Sequence, residues 1–147
     1  MRIGYDARYL TGNLTGISWY ALRLLQAMLD DAPDWVEKIF GYTHGEEIIS
    51  GLPEKSNAPL QIEVVRCPKN VFAQPLWQGV LTPRRLRRKP VHIFHSPRSY
   101  IPSGVTARCV ATVHDAAFLR MPEILPRRYR LHWTALLKRA VERADAI

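Results

Sequence analysis

The sequence lacks the patterns that mark membrane-spanning and secreted proteins. Its apolar runs are only a few residues long, whereas a helix that spans a bilayer needs roughly 20. Residues 1–6, MRIGYD, have no apolar signal-peptide core and lead directly into a predicted strand. The two cysteines, Cys67 and Cys109, show no disulfide framework, so we expect both to be reduced. These absences favour a cytoplasmic protein.

The spacing of the histidine and cysteine residues also shows no pattern of metal ligands. His92 and His95 are three residues apart on a predicted strand, which places them on opposite faces. His44, His114 and His132 add no ligand spacing, and neither do the cysteines. The sequence therefore predicts no bound metal ion.

The composition is that of one basic domain. The 147 residues, 47% of them hydrophobic, can bury one core, and no repeat, low-complexity tract or linker divides them. Lys and Arg number 21 against 13 Asp and Glu, which gives a net charge of +8. This excess favours an anionic partner: a phosphorylated ligand, an acidic membrane surface or nucleic acid. It does not choose among them.

Short apolar strands alternate with amphipathic helices along the chain, which predicts an α/β domain with a doubly wound parallel sheet. Residues 45–59 are predicted to be a short helix or turn plus a surface loop. The predicted strands lie at residues 2–7, 38–43, 61–66, 91–94 and 108–113, and the helices at about 17–28, 75–89 and 126–144.

Two basic segments and one apolar helix face each allow two interpretations. Residues 84–89 end a predicted helix, where cations suit the helix dipole, or they contact an anionic surface. Residues 127–130, RRYR, begin the last helix. The apolar face of that helix predicts core packing more than a partner site. It consists of Tyr129, Trp133, Leu136, Leu137, Ala140, Val141 and Ala144.

Polar residues come where two predicted strands end. His114 and Asp115 follow the last strand, and His95 and Ser96 follow the strand before it. Open parallel sheets bind ligands beyond the carboxyl ends of their strands, so these residues are candidate ligand groups. The alternative is that His114 only ties down its loop and that Asp115 caps a turn.

A loop with two glycines follows the first predicted strand. Gly12 and Gly16 punctuate it, and a helix begins near Ile17 with Thr15 available as a cap. The N-terminus of such a helix is a natural seat for phosphate or another anion. The motif is weak, because it is neither GxGxxG nor a Walker sequence and glycines in this setting are more often turn formers.

Three blocks of the chain resemble the amino-terminal half of the family 4 glycosyltransferases. Residues 112–123, TVHDAAFLRMPE, are similar to the family segment TxHD-x-x-F/L-x-x-PE. Residues 1–8 with 15–17, and residues 93–97, IFHSP, agree with two further blocks in the same order. The resemblance implies a Rossmann-like domain, the amino-terminal half of a GT-B fold. It also implies retaining transfer of a sugar from a nucleotide-sugar donor to a glycan or a lipid-linked acceptor.

The resemblance assigns a role to each candidate residue. His114 would hydrogen-bond the transferred sugar near the reacting carbon, and Asp115 would orient the loop. No cofactor is implied beyond the donor substrate, and the sequence has no acidic DxD triplet that would hold a metal. The residues expected to bind substrate are Gly16, Ile17, Ser18, Arg8, His95, Ser96 and Asp115.

The sequence departs from the family in its first loop. Relatives commonly have TGIGRY where residues 15–20 read TGISWY. Ser18 therefore replaces a glycine and Trp19 replaces an arginine, which removes a bidentate anion contact. The acceptor contacts of that arginine are not carried over to this chain.

The resemblance stops before the domain that binds the nucleotide. We expect the chain to be a single acceptor-side domain, truncated at its carboxyl end, with little or no transferase activity by itself. Its uncovered interdomain face would favour self-association. Many similar enzymes act on lipid-linked acceptors at the inner membrane face, so peripheral contact with acidic lipids is expected as well.

The alternative is a non-enzymatic basic module. It would use residues 84–89 and 127–130 on an acidic membrane surface or on nucleic acid. Such binding would weaken steeply with added salt and would ignore nucleotide sugars. Because the chain has no recognised nucleic-acid motif and no interleaved exposed aromatics, a nucleic-acid partner is not expected.

Overall fold

The computed structural model describes residues 1–11, 16–43, 52, 56–66 and 76–147, and most of the loop predicted at residues 45–59, like the predicted cap Thr15, lies outside them. The described strands are β1 (Arg2–Asp6), β2 (Lys38–Thr43), β3 (Leu60–Val64), β4 (Ile93–Ser96) and β5 (Arg108–Ala111). The helices are α1 (Gly16–Asp30), α2 (Thr82–Arg88), α3 (Ala117–Arg120) and α4 (Arg127–Arg143). A π-helical turn at Trp77–Leu81 leads into α2, and short 3-10 turns lie at Arg8–Leu10 and Pro122–Ile124.

All five of these strands are parallel, in the order β3-β2-β1-β4-β5. The chain builds outward from β1 to β3 and then returns to the other side of β1 for β4 and β5. Helices cover both faces: Leu25 of α1 and Tyr5 belong to the core cluster on one face, and Trp77 and Phe94 belong to the cluster on the other. The fold is therefore Rossmann-like, α/β and doubly wound, which confirms the prediction from the sequence.

Close contact between aromatic rings and β1 explains one residue of that strand. A Cβ atom at Gly4 would lie 3.0 Å from the Phe94 ring and 3.1 Å from the Tyr42 ring. Phe94 and Tyr42 belong to the strands on either side of β1. A glycine lets both rings cross β1 and fill the core on that face.

β4 lies two residues further along the chain than predicted. His95 pairs with Tyr5 of β1 and with Val110 of β5, and Ser96 pairs with Ala111. The prediction that His95 and Ser96 follow this strand is wrong, because His95 pairs with the strands on both sides and Ser96 pairs with β5, which extends the strand through both polar residues. The last strand, β5, ends at Ala111 rather than near residue 113.

The apolar face predicted for α4 is only partly buried. Ala140 is fully buried in the core, whereas Tyr129 is 38% exposed and Val141 is 61% exposed. The prediction of core packing is wrong for Tyr129 and Val141, because only part of the helix meets the sheet. Within the described residues, no helix is both long enough and apolar enough to cross a membrane.

A buried carboxylate neutralises part of the basic segment at residues 84–89. Glu63 on β3 is 2% exposed and accepts hydrogen bonds from Arg85 Nε at 2.8 Å and from Lys89 Nζ at 2.7 Å. Burial alone would raise the pKa of Glu63, but the hydrogen bonds and charges of these cations outweigh it and hold the pKa below its usual value. Two cations of the segment are thus engaged with the sheet, which limits the charge it offers to an external anion.

We expect Glu63→Gln to lower the free energy of unfolding at pH 7 by about 2 kcal/mol, because charge-assisted hydrogen bonds to a buried carboxylate are lost. The matched control is Glu142→Gln on α4, whose partner Lys138 is 3.7 Å away in an exposed pair. That change should cost less than about 0.5 kcal/mol. Urea denaturation measures both.

The same pair of variants gives a test in acid. Because the folded pKa of Glu63 is lowered, its contribution is complete above the ordinary glutamate pKa and is lost as the pH falls through the folded value. The parent should therefore lose its advantage over Glu63→Gln on acidification. Equal costs for the two substitutions at pH 7, or a constant difference down to acid pH, would contradict this description of Glu63.

Candidate functional site

The start of α1 and the loops that follow β4 and β5 meet at the carboxyl edge of the sheet. Tyr20, in the first turns of α1 after β1, places its hydroxyl 3.2 Å from the Thr112 hydroxyl beyond β5. The Tyr20 ring also meets the His114 ring edge to face, with centroids 5.0 Å apart at 89°. His114 Nε2 lies 2.8 Å from the carbonyl oxygen of Pro97, directly after β4. These three segments therefore form one connected wall.

The contact with Pro97 orients the imidazole of His114. A carbonyl oxygen only accepts hydrogen bonds, so Nε2 is the nitrogen that carries the proton in the neutral ring. No described residue hydrogen-bonds Nδ1, which leaves this nitrogen as an acceptor for a hydroxyl group. The hydrogen bond to Pro97 is what we expect if His114 only anchors its loop, but this bond engages only one of the two ring nitrogens.

Asp115 makes a local contact of the kind that caps a turn. Its Oδ1 accepts a hydrogen bond from the backbone N–H of Ala117 at 3.1 Å, at the start of α3. The side chain is exposed at the same edge as His114. It helps to set the direction in which the chain leaves His114. The orienting role that the resemblance implies for Asp115 stays a prediction.

A cavity of about 290 Å³ lies against this wall. Predicted site residues Ile17, His114 and Asp115 line it together, although Ile17 and His114 are far apart in sequence. Further lining residues come from the loop after β4, from α3 and from α4; they include Arg98, Ser99, Phe118 and Trp133. The cavity combines apolar and aromatic surface with two basic groups and one carboxylate, as small-molecule sites do.

The three predicted residues at the start of α1 have different surroundings. Gly16 is exposed, and a Cβ atom added there would meet nothing within 4 Å, so packing does not require a glycine. Ile17 lines the cavity, whereas Ser18 is buried. The helix is fixed over β1 by the Tyr5 hydroxyl, which donates to the Ala21 carbonyl at 2.7 Å. This arrangement turns the first N–H groups of α1 toward the carboxyl edge of the sheet.

Arg8 is buried below the edge and is engaged by other groups. Its Nε and Nη2 donate to the two oxygens of Asp6 at 2.8 and 2.6 Å. The guanidinium also lies over the rings of Trp77 and Tyr100, at 4.1 and 4.8 Å from their centroids. Burial opposes the charge, but Asp6 outweighs it and raises the pKa of Arg8. The predicted contact of Arg8 with substrate stays a prediction, and these bonds give the residue a structural role.

His95 and Ser96 lie within β4 on opposite faces, so they do not share one site. His95 stacks near Tyr5, with ring centroids 5.6 Å apart, and burial lowers the pKa of its imidazole. The ring is therefore neutral at pH 7. His95 Nε2 and Ser96 Oγ are both buried and have no hydrogen-bond partner among the described residues. Neither residue lines the cavity, and their roles with substrate stay predictions.

Two residues of this wall were not predicted from the sequence. Tyr20 lies one helical turn after Ile17, and that spacing is the signal that would have placed both on one face of α1. Trp133 was assigned to a core stripe, but it lines the cavity, and the guanidinium of Arg98 lies 4.1 Å above its ring centroid. The sequence gives no local signal for that pairing, because it joins two separate segments.

No metal site is evident in the described part of the chain, where no group of three or more His, Cys, Asp and Glu side chains is suited to hold an ion. Cys109 is free and buried on β5, and burial raises the pKa of its thiol to about 11. A thiol with so high a pKa remains protonated at neutral pH and is a poor nucleophile. Comparison with protein-family models, with curated proteins and with solved structures yields no match.

Proposed function

We propose that this domain forms the acceptor-side wall of a retaining glycosyltransferase that uses a nucleotide-sugar donor. One observation carries the proposal: His114 and Ile17, from two of the three blocks that resemble family 4 enzymes, line one cavity at the reversal of the strand order. Open α/β sheets bind their ligands at this position. A donor-binding domain would close the cleft from the opposite side and supply the nucleotide site.

The chemistry proposed for this wall is binding and charge stabilisation. The transferred sugar lies with a hydroxyl donating to His114 Nδ1, since Nε2 is engaged by Pro97. As the bond between the anomeric carbon and the diphosphate breaks, negative charge collects on the departing oxygen. The first N–H groups of α1, beginning at Gly16, stabilise that charge together with the helix dipole. The acceptor hydroxyl attacks the anomeric carbon from the side that the diphosphate leaves and passes its proton to the departing diphosphate oxygen, so that configuration is retained.

His114→Ala in the two-domain enzyme tests the role of this imidazole. We expect kcat to fall about 100-fold, because one preorganised contact to the reacting sugar is lost. The control is His92→Ala, which removes a histidine at the opposite edge of the sheet, where His92 Nδ1 accepts from the Arg2 N–H at 3.0 Å. Turnover of His114→Ala within a factor of about two of the parent would contradict a transition-state contact.

A lipid-linked acceptor is favoured by an exposed apolar and basic surface beside the cavity. We call it the α3–α4 surface. α3 contacts both the turn at Pro122–Ile124 and α4. The apolar side chains of the α3–α4 surface are about half exposed, and cations flank them. The apolar members are Leu119, Met121, Ile124 and Leu131, and the exposed cations are Arg120, Arg127 and Arg128.

The non-enzymatic alternative, a module that binds acidic membranes, would use the same α3–α4 surface. The alternative also requires residues 84–89 to bind an external anionic surface. Three cations of that segment are already engaged, because Arg85 and Lys89 donate to Glu63 and Arg87 Nη1 donates to the Gly104 carbonyl at 3.1 Å. The alternative gives no reason for His114 and Ile17 to share a cavity. Transfer of sugar by the two-domain enzyme separates the two functions, since the alternative has no turnover.

Vesicle binding tests the membrane contact. Arg127→Gln with Arg128→Gln should weaken binding of the chain to phosphatidylglycerol vesicles about tenfold or more, since each well-placed cation contributes about 1 kcal/mol. The matched control, Arg84→Gln with Arg88→Gln, removes two exposed cations from α2 and should have a much smaller effect. Equal losses in the two double variants, or equal binding to uncharged phosphatidylcholine vesicles, would contradict a contact made by this surface.

A further inference from the structure

Arg98 is held in a fixed position at the wall of the cavity. It follows β4 and lines the same cavity as His114. Its guanidinium lies 4.1 Å from the centroid of the Trp133 ring and 5.4 Å from that of the Tyr9 ring. A guanidinium stacked on aromatic faces keeps its N–H donors available in its own plane. The rings therefore position this cation without consuming its hydrogen bonds.

The charge of Arg98 has no counter-ion in the described part of the chain. Three other cations packed beside the sheet do have one, since Arg8 pairs with Asp6 and both Arg85 and Lys89 pair with Glu63. The carboxylate of Asp115 lines the cavity, but its hydrogen bond is to the Ala117 N–H. A cation in a partly apolar cavity, without a carboxylate to pair with, favours an anionic ligand.

The other residues that line the cavity indicate what the uncharged part of that ligand is like. Ile17, Phe118 and Trp133 present apolar and aromatic surface to about 290 Å³ of space. This volume accommodates a group of the size of one ring together with a phosphate or carboxylate. A free inorganic anion would leave the apolar walls unfilled, so affinity should require both parts.

We propose that the cavity binds the acceptor of the transfer reaction through an anionic group, a phosphate or a carboxylate, which the guanidinium of Arg98 holds. The uncharged part of the acceptor packs against Ile17, Phe118 and Trp133. Identifying the ligand as the acceptor rests on the proposed function; the anion site itself does not. Arg98 is thereby a specificity-determining residue, because it selects acidic acceptors over neutral ones that fill the same space.

The test is calorimetric titration of the 147-residue chain with small probes. Phenyl phosphate carries a phosphate on a phenyl ring, and benzoate carries a carboxylate on the same kind of ring. Phenyl β-glucoside is the uncharged probe with that ring, and inorganic phosphate is the anion without it. We expect at least one aromatic anion to bind more tightly than both the glucoside and inorganic phosphate. The comparison between phenyl phosphate and benzoate shows which acid the site prefers.

Variants of Arg98 locate the anion. Arg98→Gln should weaken binding of the preferred probe about tenfold or more, because a charged hydrogen-bond donor is lost. Arg98→Lys should keep part of the affinity, since it retains the charge but not the planar donor pair. The matched control is Arg23→Gln, whose guanidinium also lies over a ring, that of Trp19 at 5.7 Å, but does not line the cavity. Its affinity should equal that of the parent.

Three results would overturn the proposal: no binding of either aromatic anion to the parent, equal affinity for the glucoside, or unchanged affinity in Arg98→Gln. The last result would mean that Arg98 only fastens Trp133 to the loop. Circular dichroism checks that each variant is folded, and if Arg98→Gln is not, Arg98→Lys and the probe comparison on the parent decide the question. If neither aromatic anion binds but His114→Ala lowers kcat as expected, only the anion site is rejected. An intact anion site with no sugar transfer rejects the proposed function.

Discussion

The structure depends on one topological constraint, the reversal of strand order between β1 and β4. Connections on the two sides of that reversal leave the sheet toward opposite faces, which opens a gap between them at the carboxyl edge of the sheet. The helix after β1 brings Ile17 to the gap, and the loop after β4 brings Arg98. His114 follows the next strand outward and is joined to both neighbours, through Tyr20 and through Pro97. Strand pairing sets where the backbone of each candidate group lies, and side-chain contacts, such as those of His114 with Pro97 and of Arg98 with Trp133, set its orientation.

Charge is distributed unevenly over the domain. A net charge of +8 suggests a uniformly basic surface, but several cations are neutralised inside the fold. Asp6 holds Arg8, and Glu63 holds Arg85 and Lys89. Arg98 at the cavity and the exposed arginines of the α3–α4 surface have no such partner among the described residues. The proposed anionic acceptor and the proposed lipid surface therefore both lie on one side of the molecule.

The sequence predicted the class of fold and most elements, because strands buried on both faces are continuous apolar runs and helices keep their own period. β2 matches its predicted range, Lys38–Thr43. The end of β4 was not predictable, since the ladder with β1 and β5 includes His95 and Ser96 regardless of their polarity. Helical periodicity gave the apolar face of α4 but not how much of it meets the sheet. The pairing of Arg98 with Trp133 depends on the closed tertiary structure, and no local pattern reports it.

The proposed sugar transfer takes place against the His114 wall. A crystal structure of this domain joined to the proposed donor-binding domain, with an uncleaved nucleotide-sugar analogue bound, would test it. We expect a hydroxyl of the transferred sugar to lie within hydrogen-bond distance of His114 Nδ1, with the diphosphate at the N-terminus of α1. A sugar bound at the opposite edge of the sheet, or one that leaves His114 without contact, would contradict it.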